Sequence, residues 1–335
     1  MQPAIYAVAG ECLTADERSF FKDAVPAGHI LFARNCRDKE QLRALTDDLR
    51  GLHGRADLPI LVDQEGGRVA RLCPPIWPSF PAAERFAALY RVAPVSAIEA
   101  ARLNAQAIAF QLRDCGINVN SLPLLDVRQP TTHVIIGDRT LGSDPMQVAA
   151  LGRAMLEGLN RGGIAGVVKH MPGHGRATSD SHVERPVVEA SEEELRIDLE
   201  PFTTLHRAPM GMVAHILYTI WDDERPASQS PTVIREVIRG RIGFDGLLMS
   251  DDIAMQALAG SVAERAEAVL AAGCDVLLHC SAVLADMIAI ASVAGEMNGR
   301  SSERLAKAME IVAGAADATP FDVLAAERDV LLGLA

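Results

Sequence analysis

The chain has 335 residues, 49% hydrophobic and 23% charged, enough for one large domain or two ordinary ones. Its formal net charge of −12 repels phosphate backbones and anionic lipid, and no apolar run reaches the ~20 residues of a membrane span, so neither a nucleic-acid nor a membrane partner is expected. The start, Met1-Gln2-Pro3-Ala4-Ile5-Tyr6, has no basic segment or long apolar core, and Cys12, Cys36, Cys73, Cys115, Cys274 and Cys280 show no CxxC spacing, so a cytoplasmic location with free thiols is expected.

In chain order, apolar runs at 4–9 and 29–33 are predicted as strands, followed by a helix at 38–52 that opens on Asp38 as its cap. A third strand at 59–63 leads into a proline-rich irregular stretch, 65–94, expected to cover part of a barrel mouth. A helix at 95–115 carries Ile98, Leu103, Ala107, Phe110 and Leu112 on one stripe. Strands at 117–126, 166–170, 210–217, 246–251 and 274–280 then alternate with helices at 145–160, 191–206, 231–241, 262–272 and 282–297. Two more helices, 301–313 and 321–334, close the chain. Most of the strand runs lack period-two alternation, as expected for strands covered on both faces. Eight strand–helix alternations without a GxGxxG after the first strand predict an α/β fold. The expected form is a single (β/α)8 TIM-type barrel domain over 1–335 with extra C-terminal helices.

Polar residues gather at the ends of these apolar runs, where a barrel assembles its chemistry. The third strand ends in Asp63 and runs into Gln64-Glu65-Gly66-Gly67-Arg68-Val69-Ala70-Arg71. The fifth ends in Lys169-His170, the sixth near His215, and the seventh in Ser250-Asp251-Asp252. Asp63 beside Arg71 suits capture of vicinal hydroxyls, with Gly66-Gly67 permitting close backbone approach. Arg139 sits in a glycine-containing loop where it reaches either the same pocket or a salt bridge to Asp138 or Asp144. Lys169 and His170 end an otherwise apolar strand, where an unpaired charge is costly, so binding is favoured.

Between His170 and His174 stand Pro172 and Gly173, so the two histidines do not share a helical face. Asp180-Ser181-His182 follows in a loop of small and polar residues; His182 is an acid/base candidate and Asp180 an orienting neighbour. Adjacent strand residues point to opposite faces, so one of Asp251 and Asp252 is expected to face the mouth; geometry alone leaves open which.

Three stretches together resemble the bacterial β-N-acetylglucosaminidases of glycoside hydrolase family 3, above all the single-domain cytosolic enzymes of peptidoglycan recycling. They are Val62-Asp63-Gln64-Glu65-Gly66-Gly67-Arg68-Val69, Lys169-His170-Met171-Pro172-Gly173-His174-Gly175 with Asp180-Ser181-His182, and Gly243-Phe244-Asp245-Gly246 leading to Ser250-Asp251-Asp252-Ile253-Ala254-Met255. The resemblance runs in order from about Gly28 to Cys280 and includes Ala227-Ser228-Gln229-Ser230. It departs at Met171, Ile253 and His279-Cys280, none of which removes a functional group. It implies Asp251 as nucleophile, His182 paired with Asp180 as acid/base, and Asp63, Arg71, Arg139, Lys169 and His170 around the sugar. It further implies retaining hydrolysis of terminal β-linked N-acetylglucosamine from 1,6-anhydro-N-acetylmuramic acid, with or without its peptide.

No metal or organic cofactor is expected, the partner is a small carbohydrate or muropeptide, and the chain is expected to be a monomer. Four other readings stand beside this one. They are another β-glycosidase specificity, phosphorolysis, a zinc hydrolase built on His170, His174, Asp180 and His182, and a silent sugar-binding barrel.

Overall fold

Along the first strand, β1 (Gln2–Ala7), Ile5 and Ala7 join one apolar cluster while Ala4 and Tyr6 join another. That division in steps of two is what a strand covered on both faces produces. The same division recurs in β2 (Pro26–Leu31), β3 (Ile60–Val62), β5 (Ala165–Met171) and β7 (Leu247–Asp252), where Ile30, Leu61, Val167 and Met249 go to the inner cluster and Leu31, Val62, Val168 and Leu248 to the outer one. With β4 (Val119–Asn120), β6 (Met210–Val213) and β8 (Val276–His279), these strands pair in parallel, each beside its sequence neighbour. β8 returns to β1, with Ile5 opposite Leu278 on one side and Gly28 on the other, so the sheet is a closed barrel. The computed structural model describes residues 1–181, 183–314 and 316–333.

The helices take the outer layer: α1 (Ala15–Ala24), α2 (Lys39–His53), α3 (Ala83–Tyr90), α4 (Pro94–Asp114), α5 (Pro145–Arg161), α6 (Glu192–Thr204), α7 (Val262–Ala272) and α8 (Leu284–Ala294). Asp38 caps α2 through Gln41 N–H, as its position predicts, a bond worth ~1 kcal/mol. Of the two closing helices, α9 (Gly299–Ala313) sends Leu305, Ala308 and Met309 into the cluster inside the barrel. α10 (Phe321–Leu332) lies over α4, where Arg328 donates to the Asn104 side chain.

The structure departs from the predicted elements at several points. The fourth strand is two residues long rather than ten: the Leu122 N–H turns back to the Asn120 carbonyl at 2.7 Å, and the regular ladder stops there. A single bridge, Leu124 to Lys169, resumes the pairing beyond it. α1 forms in a stretch for which no helix is predicted, although Thr14 and Glu17 make a full capping box there. α3 interrupts the irregular stretch 65–94 and buries Phe86 and Ala87. The helix expected at 231–241 winds as a π-helix over Val233–Arg241. No described helix is long and apolar enough to cross a membrane.

Candidate active site

The loop that leaves β3 is folded by its own side chains. The Gln64 amide oxygen accepts the backbone N–H groups of Arg71 and Leu72, and its nitrogen donates to the Leu72 carbonyl. Gly66 (φ +97°) and Gly67 (φ +57°) make the turn; a Cβ on Gly66 would lie 2.4 Å from the Pro81 carbonyl oxygen. This fold brings Arg71 back onto Asp63, with Nη2 donating to Oδ2 at 3.0 Å.

Lys169, buried at the end of β5, lies 3.3 Å from Asp63 and 2.7 Å from Glu65. Glu65 in turn accepts both arms of the Arg139 guanidinium at 2.8 and 2.9 Å, so Arg139 does not pair with Asp138 or Asp144. Asp138 is taken by Arg68, and Asp144 caps α5. Burial alone would raise the Asp63 and Glu65 carboxyls; Lys169 and the two arginines outweigh it and hold both below the usual carboxylate range. Glu65 is thus a functional residue that sequence reasoning missed. The strand-end pattern pointed to Asp63, but nothing in the spacing showed a partner 74 or 104 residues downstream.

His170 also ends β5, and its Nδ1 lies 2.8 Å from Asp126 Oδ2. Asp126 is another missed residue, although it closes the predicted fourth strand just as Asp63 closes the third. Side chains from elsewhere in the fold anchor the loop beyond His170. Arg176 Nε donates to Asp198 at 2.6 Å, Tyr218 Oη donates to the Gly173 carbonyl, and Thr132 Oγ1 donates to the Gly175 carbonyl. His174 borders the cavity, and burial together with the neighbouring His170 lowers its pKa to about 4, so it is neutral near pH 7.

At the end of β7 strict alternation fails. Between the register pairs Val276–Met249 and Leu278–Asp252 the pairing shifts by one residue, and both Asp251 and Asp252 border the cavity. The expectation that only one faces the mouth is therefore corrected. The two differ in use. Asp252 Oδ1 accepts the backbone N–H groups of Ala254 and Cys280, both at 3.0 Å, and so ties the ends of β7 and β8 together. Asp251 Oδ1 accepts a local bond, from the Asp252 N–H at 2.8 Å. Burial opposes its charge, but His170, His215, that N–H and Lys169 prevail and hold its carboxyl below the ordinary value. His215 does not border the cavity: it braces the backbone, with Nδ1 2.7 Å from Ser228 Oγ and Nε2 3.0 Å from the Asp252 carbonyl.

Asp63, Arg71, Arg139, Lys169, His170 and Asp251 surround one cavity of about 270 Å³, near the lower end of ligand sites (~300–1,000 Å³). Ser181 reaches its wall, whereas Asp180 does not border it; the Asp180 carbonyl accepts the Val183 and Glu184 N–H groups in a turn. His182 lies outside the described residues. Among the described residues no group of three or more His, Cys, Asp or Glu is placed to hold a metal ion.

This geometry meets close relatives. The β-hexosaminidase of Aromatoleum aromaticum is 39% identical over 284 residues, spanning 83% of this chain and 79% of that one. That of Chromobacterium violaceum is 37% identical over 332 residues, 98% of this chain and 91% of its own. Among solved structures, NagZ from Neisseria gonorrhoeae in complex with N-trifluoroacetyl-D-glucosamine superposes with a TM-score of 0.87 at 32% identity, covering 99% of this chain and 98% of that one. The profile of the glycosyl hydrolase family 3 N terminal domain matches residues 7–313, which takes in every strand of the barrel but the first five residues of β1 and all the cavity residues named above, and the chain belongs to that family.

Proposed function

We propose that the protein is a retaining exo-β-N-acetylglucosaminidase that releases terminal N-acetylglucosamine, with N-acetylglucosaminyl-1,6-anhydro-N-acetylmuramic acid and its peptides as substrate. The observation that carries this reading is Asp251: a buried carboxylate held in its charged form, on a cavity sized for about one sugar ring. Asp63, Arg71, Arg139, Lys169 and His170 are the groups that bind the ring's hydroxyls and amide, and the relatives' names supply the class of sugar.

In the first step an Asp251 oxygen attacks the anomeric carbon as the bond to the leaving oxygen breaks, and His182 gives that oxygen its proton. A glycosyl ester of Asp251 results. In the second step water attacks the same carbon, His182 takes the water's proton, and Asp251 leaves as carboxylate. Two inversions retain the β configuration. Asp180 orients the imidazole and favours its protonated form. The assignment of His182 rests on the Asp-Ser-His spacing and on Ser181, one residue before it, at the cavity wall.

The test is turnover of a chromogenic β-N-acetylglucosaminide beside the matching glucoside, with product anomers followed by NMR. The β anomer must appear first, and the glucoside must turn over far more slowly. An initial α product would refute the double displacement, and equal turnover of both substrates would refute the N-acetyl preference. Phosphate-dependent formation of a sugar phosphate would replace hydrolysis with phosphorolysis.

A further inference from the structure

Asp126 makes no contact that the mechanism above uses, yet its fully buried carboxylate is surrounded by donors from the site. Oδ1 accepts the backbone N–H of His170 at 3.1 Å and that of His174 at 2.6 Å, while Oδ2 meets His170 Nδ1 at 2.8 Å. The two backbone bonds grip both sides of the Met171-Pro172-Gly173 turn. The chain on either side is equally close: a Cβ on Gly175 would lie 1.8 Å from the carbonyl oxygen of Val127, the residue after Asp126.

A charged carboxylate only accepts hydrogen bonds, so the proton between the two groups resides on His170 Nδ1. Asp126 is charged: burial would raise its pKa, but His170, His174 and the His174 N–H overcome this and hold it at about 2. With Nδ1 committed to Asp126, Nε2 is the edge left for the cavity that His170 borders.

We propose that Asp126 is a positioning residue that holds the His170 ring through Nδ1–H and so fixes its orientation and tautomer, presenting Nε2 to a substrate hydroxyl. The rival role is plain scaffolding, in which the carboxylate serves only the two backbone N–H groups. Asp126→Asn separates them, because an amide has one acceptor oxygen. If that oxygen stays on the backbone N–H groups, the NH2 faces Nδ1 and drives the proton to Nε2.

The proposal deepens the reading above and depends on it only for its kinetic arm. The first measurement needs no variant. In the full chain labelled uniformly with ¹³C and ¹⁵N, at a pH where the ring is neutral, long-range ¹H–¹⁵N correlation should show His170 protonated at Nδ1, its ring signals assigned through bonds from its own backbone. An Nε2–H ring in the parent protein would overturn the proposal even if no variant folds. In folded Asp126→Asn, the tautomer should reverse and kcat/KM on the chromogenic β-N-acetylglucosaminide should fall ~10–100-fold, the usual cost of losing an orienting partner. In the His170→Phe background the same substitution should cost less than about threefold, because its route of action is gone. An Asp126→Asn enzyme that keeps both tautomer and turnover, or a loss undiminished without His170, would leave scaffolding alone. Absence of turnover in the parent would refute the proposed function and leave the tautomer result standing.

Discussion

Glu65→Gln is the substitution that most directly tests how the cavity's cations are held. The Glu65 side chain, 4% exposed, bonds Arg139 through both oxygens and Lys169 at 2.7 Å. Removing one partner of a buried ion pair costs about 3–5 kcal/mol, because the other charge is left without compensation. Two remaining contacts reduce that here: Lys169 keeps Asp63 at 3.3 Å, and Arg139 keeps the Ile135 carbonyl at 3.1 Å. The glutamine oxygen also still accepts from one of the two cations. A loss of ~2–3 kcal/mol of unfolding free energy is therefore expected, read by urea denaturation. The same change turns Arg139 and Lys169 away from the geometry in which they face a sugar, so kcat/KM should fall ~10–100-fold. The exposed pair Arg18–Asp48 supplies the control, since Asp48→Ala should cost under ~1 kcal/mol. A Glu65→Gln protein within about 0.5 kcal/mol of the parent, with unchanged kcat/KM, would show that the buried network does not set the site.

Asp251→Ala should reduce turnover by several orders of magnitude, and a fluoro-glycoside should label Asp251 covalently; label on Asp252 would reverse the assignment of roles. His182→Ala should damage natural disaccharides far more than activated aryl glycosides, with azide restoring turnover on the latter, and equal losses on both would remove His182 from proton transfer. Gly175→Ala places a methyl group against the Val127 carbonyl and should cost ~2–3 kcal/mol, whereas Gly10→Ala, with nothing within 4 Å, should be near neutral; equal midpoints in urea would contradict the close approach. His29 is fully buried beside His53, and burial together with that neighbour lowers its pKa to about 3, so the unfolded chain binds the extra proton first as pH falls from ~6.5. Stability is then complete above pH ~6.5 and is lost progressively toward pH 3; His29→Leu should flatten that decline in urea midpoints, and an unchanged slope would refute the assignment.

The barrel was legible because its strands need no partner information: a run such as Gly166-Val167-Val168 is apolar on both faces wherever it sits in the fold. What escaped was decided locally by groups other than hydrophobicity. α1 has a weakly apolar sequence, and its start is marked only by the reciprocal bonds of Thr14 and Glu17. β4 stops early because the Leu122 N–H bonds the Asn120 carbonyl, a local turn that a good apolar run does not reveal. Alternation predicts only that one of Asp251 and Asp252 faces the mouth, which the shift of register between β7 and β8 breaks; the choice of Asp251 comes from the family resemblance.

The site divided along another line. Asp63, Lys169, His170 and Asp251 stood out because each places a polar group where an apolar strand ends, a cost that binding or catalysis offsets. Glu65 and Asp126 hold those residues in place and obey the same rule, but their meaning lies in partners far along the chain: Arg139 and Lys169 for one, His170 and His174 for the other. A parallel barrel makes such pairs adjacent by setting strand ends side by side, so Asp126 after β4 meets His170 on β5, and Glu65 after β3 reaches Lys169 on β5 and Arg139 in the loop after β4. The groups that face a substrate are therefore visible one at a time in the sequence, whereas the groups that orient them become visible only once neighbouring strands are paired.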